Sequence, residues 1–249
     1  MNNELVGLEM SEFGTGEGDP LLLFHEGLGS VSMWRDFPDA LVAATGKRVI
    51  AWSRKGYGAS VAGPNTYDED FMHREADVAA EVMQGLGVAQ AHIFGHSDGA
   101  SIALLLAARH PHRILSLTLE APHVYVEAIC LAAINKLHSD AQESGFLDRL
   151  GNYHQDVNRM FERWCAIWLK PSFADWNIMS ELSGIKCPTL LIQGENDEYG
   201  SFAQLDRIAA HCPQSLQLRL THCGHSPHVD RRADVVSATA GFLKDLAHG

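Results

Sequence analysis

The sequence predicts an α/β fold: a mostly parallel, doubly wound sheet interrupted by an inserted helical cap. Three observations predict it. Short apolar runs recur along the chain, each too short for a helix and most nearly continuous in apolar character, as for strands buried on both faces. Helical patterns lie between several of these runs, and strand–helix–strand alternation implies a parallel sheet with helices on both sides. One long stretch, between Pro122 and Cys187, carries helical pattern and no strand.

The elements follow in order. "ELVGLEMSEFG" (4–14) reads as an antiparallel edge strand. "LLLFH" (21–25), "RVIAWS" (48–53) and "AHIFGH" (91–96) read as strands, as do "ILSLTLEA" (114–121), "PTLLIQG" (188–194) and "LQLRLTH" (216–222), most of them with the pattern of burial on both faces. The stretch 67–87 spaces Phe71, Ala76, Val78, Ala79, Val82, Met83 and Leu86 as on one helix and stops at Gly85 and Gly87. "GASIALLLAARHP" (99–111) is apolar nearly all round, which predicts a heavily buried helix ending before Pro111. The stretch 233–247 reads as an amphipathic terminal helix. Roughly 65 residues of helical pattern between two strands is too long for a simple connection. The expected division is therefore a core of 1–121 and 188–249 with a helical cap of 122–187, lying over the sheet edge where open α/β folds bind ligands.

Composition excludes several function classes. A net charge of −12 over 249 residues argues against a nucleic-acid surface, which needs clustered Lys and Arg. It also disfavours an anionic membrane. No apolar run approaches the ~18 residues of a membrane span, and "MNNELVGLEMSEFG" lacks the basic and apolar regions of a secretory signal. Five cysteines, with no CxxC pair, fit a reduced protein, and the expected location is cytoplasmic. Oligomeric state is not readable from the sequence.

Gly95-His96-Ser97-Asp98-Gly99 fits G-x-S-x-G. A nucleophile on a sharp strand-to-helix turn needs small neighbours two residues away on each side. The pattern alone is weak, but here a strand-type run precedes it and an apolar helix follows. A serine hydroxyl needs a base, and the base an orienting acid. Asp197 follows the run ending at Gly194, and His225 follows the run 216–222, so acid and base candidates fall past the ends of predicted strands. Glu195 and Glu198 compete with Asp197, and His222 and His228 flank His225. "HCGHSPH" raises a metal site as an alternative, but no carboxylate or CxxC stands at zinc spacing, so no metal ligand is assigned.

Together, "GHSDG", "PTLLIQGENDEYG" and "CGHSPH" resemble the α/β-hydrolase superfamily across nearly the whole chain, including the position of the cap. The resemblance implies Ser97 as nucleophile, Asp197 as acid, His225 as base and no cofactor. It implies an oxyanion hole from the amides of Asp98 and of Gly27, in the loop "HEGLGS" (25–30). The family commonly has His-Gly here, so Glu26 departs from its pattern and reads either as a solvated loop charge or as a substrate contact. "WSRKGYGAS" (52–60) resembles the family's Gly-x-Gly-x-Ser loop and is expected to buttress the oxyanion loop, with Arg54 pairing to a carboxylate there.

The implied function is hydrolysis of a small-molecule ester-type bond (carboxylic ester, lactone or thioester) through an acyl-enzyme. Relatives with an aspartate nucleophile are set aside by Ser97. Carbon–carbon bond hydrolases and cofactor-free perhydrolases share the triad, and a receptor retaining an idle triad is an alternative of another class. Met33, Trp34 and His123 are pocket candidates from position. Phe161, Trp164 and Trp168 share a helix face by spacing, which serves either cap packing or a pocket wall lined by Trp164 and Trp168. The carboxylate of Asp98 either rests on the first turn of the following helix, where the dipole favours it, or faces the pocket. A similar Ser-Asp pair occurs in valacyclovir-hydrolase-like relatives, and that resemblance implies a substrate with a positive group, such as an amino-acid ester.

Overall fold

The strands β1 (Met10–Phe13), β2 (Leu21–Phe24), β3 (Val49–Trp52), β4 (Ala91–His96), β5 (Ile114–Glu120), β6 (Thr189–Gly194) and β7 (Ser215–Leu220) form one sheet. Their spatial order is β1-β3-β2-β4-β5-β6-β7. This is a computed structural model, and it describes residues 5–247. Glu4, the first residue of the expected edge segment, and the outermost residues of the expected core lie outside that range. β1 pairs antiparallel with β3, and every other pairing is parallel.

The order has one consequence for function. β2 lies between β3 and β4, so the chain leaves β2 to one side and then crosses back to the other. Between the C-terminal ends of β2 and β4 there is thus a switch point, the place where an open parallel sheet leaves a crevice. The loop 25–30 and Ser97 both begin there.

Alternation along each strand divides the core. Leu22 and Phe24 of β2 and Ile50 and Trp52 of β3 pack on one face, with α2 (Phe71–Gly85), α3 (Asp98–Arg109) and α7 (Ala203–His211). Leu21, Leu23, Val49 and Ala51 pack on the other, with α1 (Phe37–Thr45) and α9 (Arg232–Leu246). Ten of the twelve residues of α3 are buried, as its all-round apolar pattern requires. Sequence pattern assigns no helix to α1 or α7. Their buried stripes are short: Phe37, Pro38 and Leu41 in one, Gln204, Leu205 and Ile208 in the other.

Between β5 and β6 the chain is helical, with α4 (Ala128–Asp140), α5 (Phe146–Leu150) and α6 (Val157–Trp168) followed by short 3-10 turns. Aromatic packing joins them to the body: Trp168 meets Phe173 edge-on, and Phe173 approaches Phe71 of α2. Several expected boundaries shift, most of them by one or two residues; the helix expected over 67–87 runs from Phe71 to Gly85. The edge strand is confined to Met10–Phe13. β7 ends at Leu220 rather than at His222, whose positive φ of 53° turns the chain out of the strand.

Candidate active site

β4 runs directly into α3 through a single residue, Ser97, held at φ 54°, ψ −119°. That conformation is strained for a side-chain-bearing residue and persists only where the surroundings enforce it. The surroundings are two close approaches. A Cβ on Gly95 would lie 2.8 Å from the backbone of Gly99 and Ala100, and one on Gly99 would lie 2.1 Å from the carbonyl oxygen of Phe24. Both neighbours must therefore be glycine for β2, β4 and α3 to meet, which is the physical content of the G-x-S-x-G pattern.

The turn presents Ser97 to two other strand ends. Its hydroxyl donates to His225 Nε2 at 2.9 Å, and His225 Nδ1 donates to Asp197 Oδ1 at 2.8 Å. The same carboxylate accepts from the amides of Tyr199 and Gly200 and from the side-chain amide of Gln193. Burial acts to raise the Asp197 pKa. The His225 hydrogen bond and charge and the Tyr199 amide outweigh it, so the carboxyl is held below the ordinary range. Asp197 is thus an anion that fixes the His225 tautomer. Glu195 and Glu198, the competing acids, make no such contact to His225.

The loop after β2 is fixed from below. His25 Nε2 accepts from the Arg54 amide, so Nδ1 carries the proton and donates to the Glu26 carbonyl. The Arg54 guanidinium donates to the carbonyls of His25 and Glu26. Arg54 therefore buttresses the loop as expected, but through backbone carbonyls, which point inward at the turn, rather than through a carboxylate. Gly27 has Asp98 and Trp164 directly over it: a Cβ there would sit 3.0 Å from Asp98 Oδ2 and 2.1 Å from Trp164 Nε1.

Ser97 opens into a cavity of about 240 Å³. Its walls include Glu26, Gly27, Met33, Asp98, His123, Trp164, Trp168 and His225, so all but one of the expected pocket residues converge. Trp34 does not. Met33 and Trp34 are adjacent in a 3-10 turn (Val31–Trp34) and point apart. Trp34 is buried against Phe37, Phe94 and His228 on the other side of the sheet. Phe161 also turns away, packing on Phe146 and His138. Cys130, Ile134, Leu137, Phe146, Leu150 and Tyr199 also belong to the apolar part of the wall and were not foreseen. Tyr199 carried a signal, standing two residues past Asp197, and its ring lies 4.7 Å from that of His225. The others sit on α4 and α5, whose faces cannot be oriented from pattern alone.

Asp98 sits on the first turn of α3, and from there it also lines this cavity. It is buried, its Oδ2 accepts from Trp164 Nε1 at 3.1 Å, and its Oδ1 has no hydrogen-bond partner. Burial raises its pKa, against the pull of Arg54 and the Trp164 hydrogen bond. His123 is pushed down to about 4 by burial and by the neighbouring His225, and stands neutral at the cavity wall.

A second polar group lies behind the triad and was not foreseen. His96 donates from Nε2 to the carbonyl of His225 at 2.7 Å, and its Nδ1 faces Glu26 Oε2 at 3.6 Å. His228, which is buried, donates from Nδ1 to Glu120 Oε2 at 2.7 Å. Nitrogen and oxygen atoms of His96, Glu120 and His228 lie within 4.8 Å of one another. His96 Nε2 is bonded to backbone and His228 Nδ1 to Glu120, so the group is tied into hydrogen bonds and reads as a network rather than a ligand set, with His96 Nδ1 and Glu120 Oε1 left without hydrogen-bond partners. The metal alternative read from "HCGHSPH" fails for a related reason: its histidines diverge, His222 to solvent, His225 to Asp197 and His228 to Glu120.

Residues 19–165 match the family model of the alpha/beta hydrolase fold. The chain belongs to the alpha/beta hydrolase family. It is 28% identical to the human (Homo sapiens) serine hydrolase BPHL over 236 residues, spanning 90% of this chain and 79% of that one. A 2-hydroxy-6-oxononadienedioate/2-hydroxy-6-oxononatrienedioate hydrolase of Pseudomonas putida is 26% identical over 250 residues, covering 88% and 85%. Among solved structures, a hydrolase from Pseudomonas aeruginosa superposes with a TM-score of 0.72 at 25% identity, covering 95% and 94%. This alpha/beta hydrolase is accordingly a hydrolase. No helix among its described residues is long and apolar enough to cross a membrane.

Proposed function

We propose that the protein is a serine hydrolase that cleaves an ester-type bond of a small molecule (carboxylic ester, lactone or thioester) through an acyl-enzyme. The observation that carries this is the unbroken hydrogen-bond relay from Ser97 through His225 to Asp197, opening into a cavity of about 240 Å³. In this reading His225 takes the Ser97 proton as the hydroxyl attacks the carbonyl. The amides of Gly27 and Asp98 hold the oxyanion, and His225 then returns the proton to the leaving group and activates water. The cap segment 122–187 supplies the far wall of the pocket.

The cavity's charge supports a narrower reading of the substrate. The Asp98 carboxyl stands beside Ser97 and the described residues lining the cavity include no Lys or Arg, while the Glu26 carboxylate is turned toward His96. A dianionic substrate would meet repulsion there, which disfavours a carbon–carbon hydrolase acting on dioates. A substrate with an amino group near the scissile carbonyl would set a cation beside the Asp98 carboxyl at the cavity wall. Amino-acid esters fit that requirement.

The reading is tested directly. Ser97→Ala should abolish both turnover of nitrophenyl esters and labelling by a fluorophosphonate probe. Turnover persisting in that variant would overturn it.

A further inference from the structure

We infer that His96, held in its protonated form by Glu26, is a positioning residue that locks the oxyanion loop and the His225 loop onto the nucleophile turn. The inference rests on the proposed hydrolase chemistry and extends it to two residues outside the triad.

The geometry starts with His225. Its carbonyl can only accept, so the 2.7 Å contact fixes a proton on His96 Nε2. A neutral His96 would then turn the bare lone pair of Nδ1 toward the Glu26 carboxylate at 3.6 Å. Lone pair against anion is repulsive, and adding a proton to Nδ1 converts it into an ion pair. His96 is buried, so this charge has little solvent to share it.

The groups facing His96 agree. Glu26 approaches from the loop after β2, and Glu120 from the end of β5. The rings of His225 and His228 pack on it at 5.2 and 5.0 Å. Burial acts to lower the His96 pKa. The contact with Glu26 and the charges of Glu26 and Glu120 outweigh it and place the value at about 9. Burial acts the other way on Glu26, and its contact with His96 holds the carboxyl far below the usual range. His123, past the end of β5, is in turn pushed down partly by His96.

One side chain therefore ties three loops. His96 precedes Ser97 in the chain, its Nε2 holds the backbone of the base, and its Nδ1 holds the side chain next to Gly27. The departure at position 26 gains a purpose: a glycine there would leave Nδ1 without its anion. Gly29 is part of the device. A Cβ at Gly29 would sit 2.3 Å from Glu26 Oε2, so only glycine lets the carboxylate fold back to His96.

The experiment is ester kinetics over about pH 6 to 10 for wild type, Glu26→Gln and Gly29→Ala, with nitrogen NMR of the His96 ring at neutral pH. Wild-type His96 should show both ring nitrogens protonated. With the imidazolium as the competent form, activity falls as pH rises through its pKa. Removing the anion lowers that pKa, so the alkaline limb of Glu26→Gln should move down by about one pH unit or more. Its kcat should drop about tenfold or more through misalignment, with KM little changed. Gly29→Ala, which displaces the carboxylate without removing it, should shift the limb in the same direction. A neutral His96 in the wild type would overturn the inference. So would a Glu26→Gln variant with raised KM but unchanged kcat and pH profile, since Glu26 would then be a substrate contact. Neither result touches the Ser97 reading, which Ser97→Ala tests separately.

Discussion

Asp98 carries two duties that pull against each other. Its amide serves the oxyanion in the proposed mechanism, while its carboxylate lies in the same cavity with one oxygen bonded to Trp164 and the other unpartnered. An anion there opposes the developing oxyanion unless a cation compensates it, and the amino group of an amino-acid ester would do so. Asp98→Asn keeps the shape and removes the charge. The preference for amino-acid esters over neutral esters should fall roughly ten- to a hundredfold, the worth of a charge-assisted hydrogen bond. The pH dependence has a definite sign. Burial raises the Asp98 pKa, so the carboxylate discharges at a higher pH than an ordinary aspartate. The preference should weaken as pH falls through that raised value, and kcat/KM ratios for paired esters measure it. An unchanged ratio in Asp98→Asn would exclude the amino-ester reading.

Among elements, the turn between β4 and α3 leaves no room for a side chain at Gly99. Gly99→Ala would drive a Cβ into the Phe24 carbonyl, an immobile backbone atom of β2. Overpacking of this kind is worth about 1–3 kcal/mol, so thermal unfolding should drop by roughly 2–12 °C in a chain of this size. Activity should fall further, since α3 moves with Ser97 and Asp98. A variant with wild-type melting temperature and turnover would show that the turn tolerates a side chain. The turn was legible in the sequence because its constraint is local: two glycines, a strand-type run and an apolar helix within a short segment. Most of the parallel strands were legible for the same reason, as near-continuous apolar runs; β7, whose run alternates, is an edge strand with only Leu220 buried. Asp197 and His225 were legible because each stands just past a strand end. What escaped depends on distant neighbours. His96, Glu120 and His228 become a network only because β4 lies beside β5 and α8 (Pro227–Asp230) folds back under them. Trp34 was misplaced because adjacency to Met33 says nothing about which way a 3-10 turn points each side chain.

Over the whole molecule, histidine burial predicts the pH dependence of stability. His25, His92, His123 and His154 all have lowered pKa values, with burial the largest cause, and those of His92 and His123 fall to about 4. An unfolded histidine titrates near ~6.5. The stability these four contribute is complete above that value and is lost as pH falls through their folded values. His96 has the opposite sign: its contribution is complete below ~6.5 and is lost as pH rises toward about 9. Asp98 and Glu75, both raised by burial, return part of the loss on the acid side. Melting temperature should therefore peak near neutrality, around pH ~6.5, and fall more steeply toward acid than toward base. Circular-dichroism melts across that range measure it, and a flat acid side would contradict it.

The hydrogen bond from Trp164 to Asp98 joins the helical insert to the residue beside the nucleophile. Inserts of this kind invite exchange between related enzymes as a route to new selectivity. In this protein such a graft would not be a neutral swap of walls. A donor insert without an indole at that position would leave both oxygens of a buried carboxylate unanswered, and the carboxyl would take up a proton more readily. Replacing the insert would retune the proposed reaction centre, so that insert and elbow must be inherited, or engineered, as one unit.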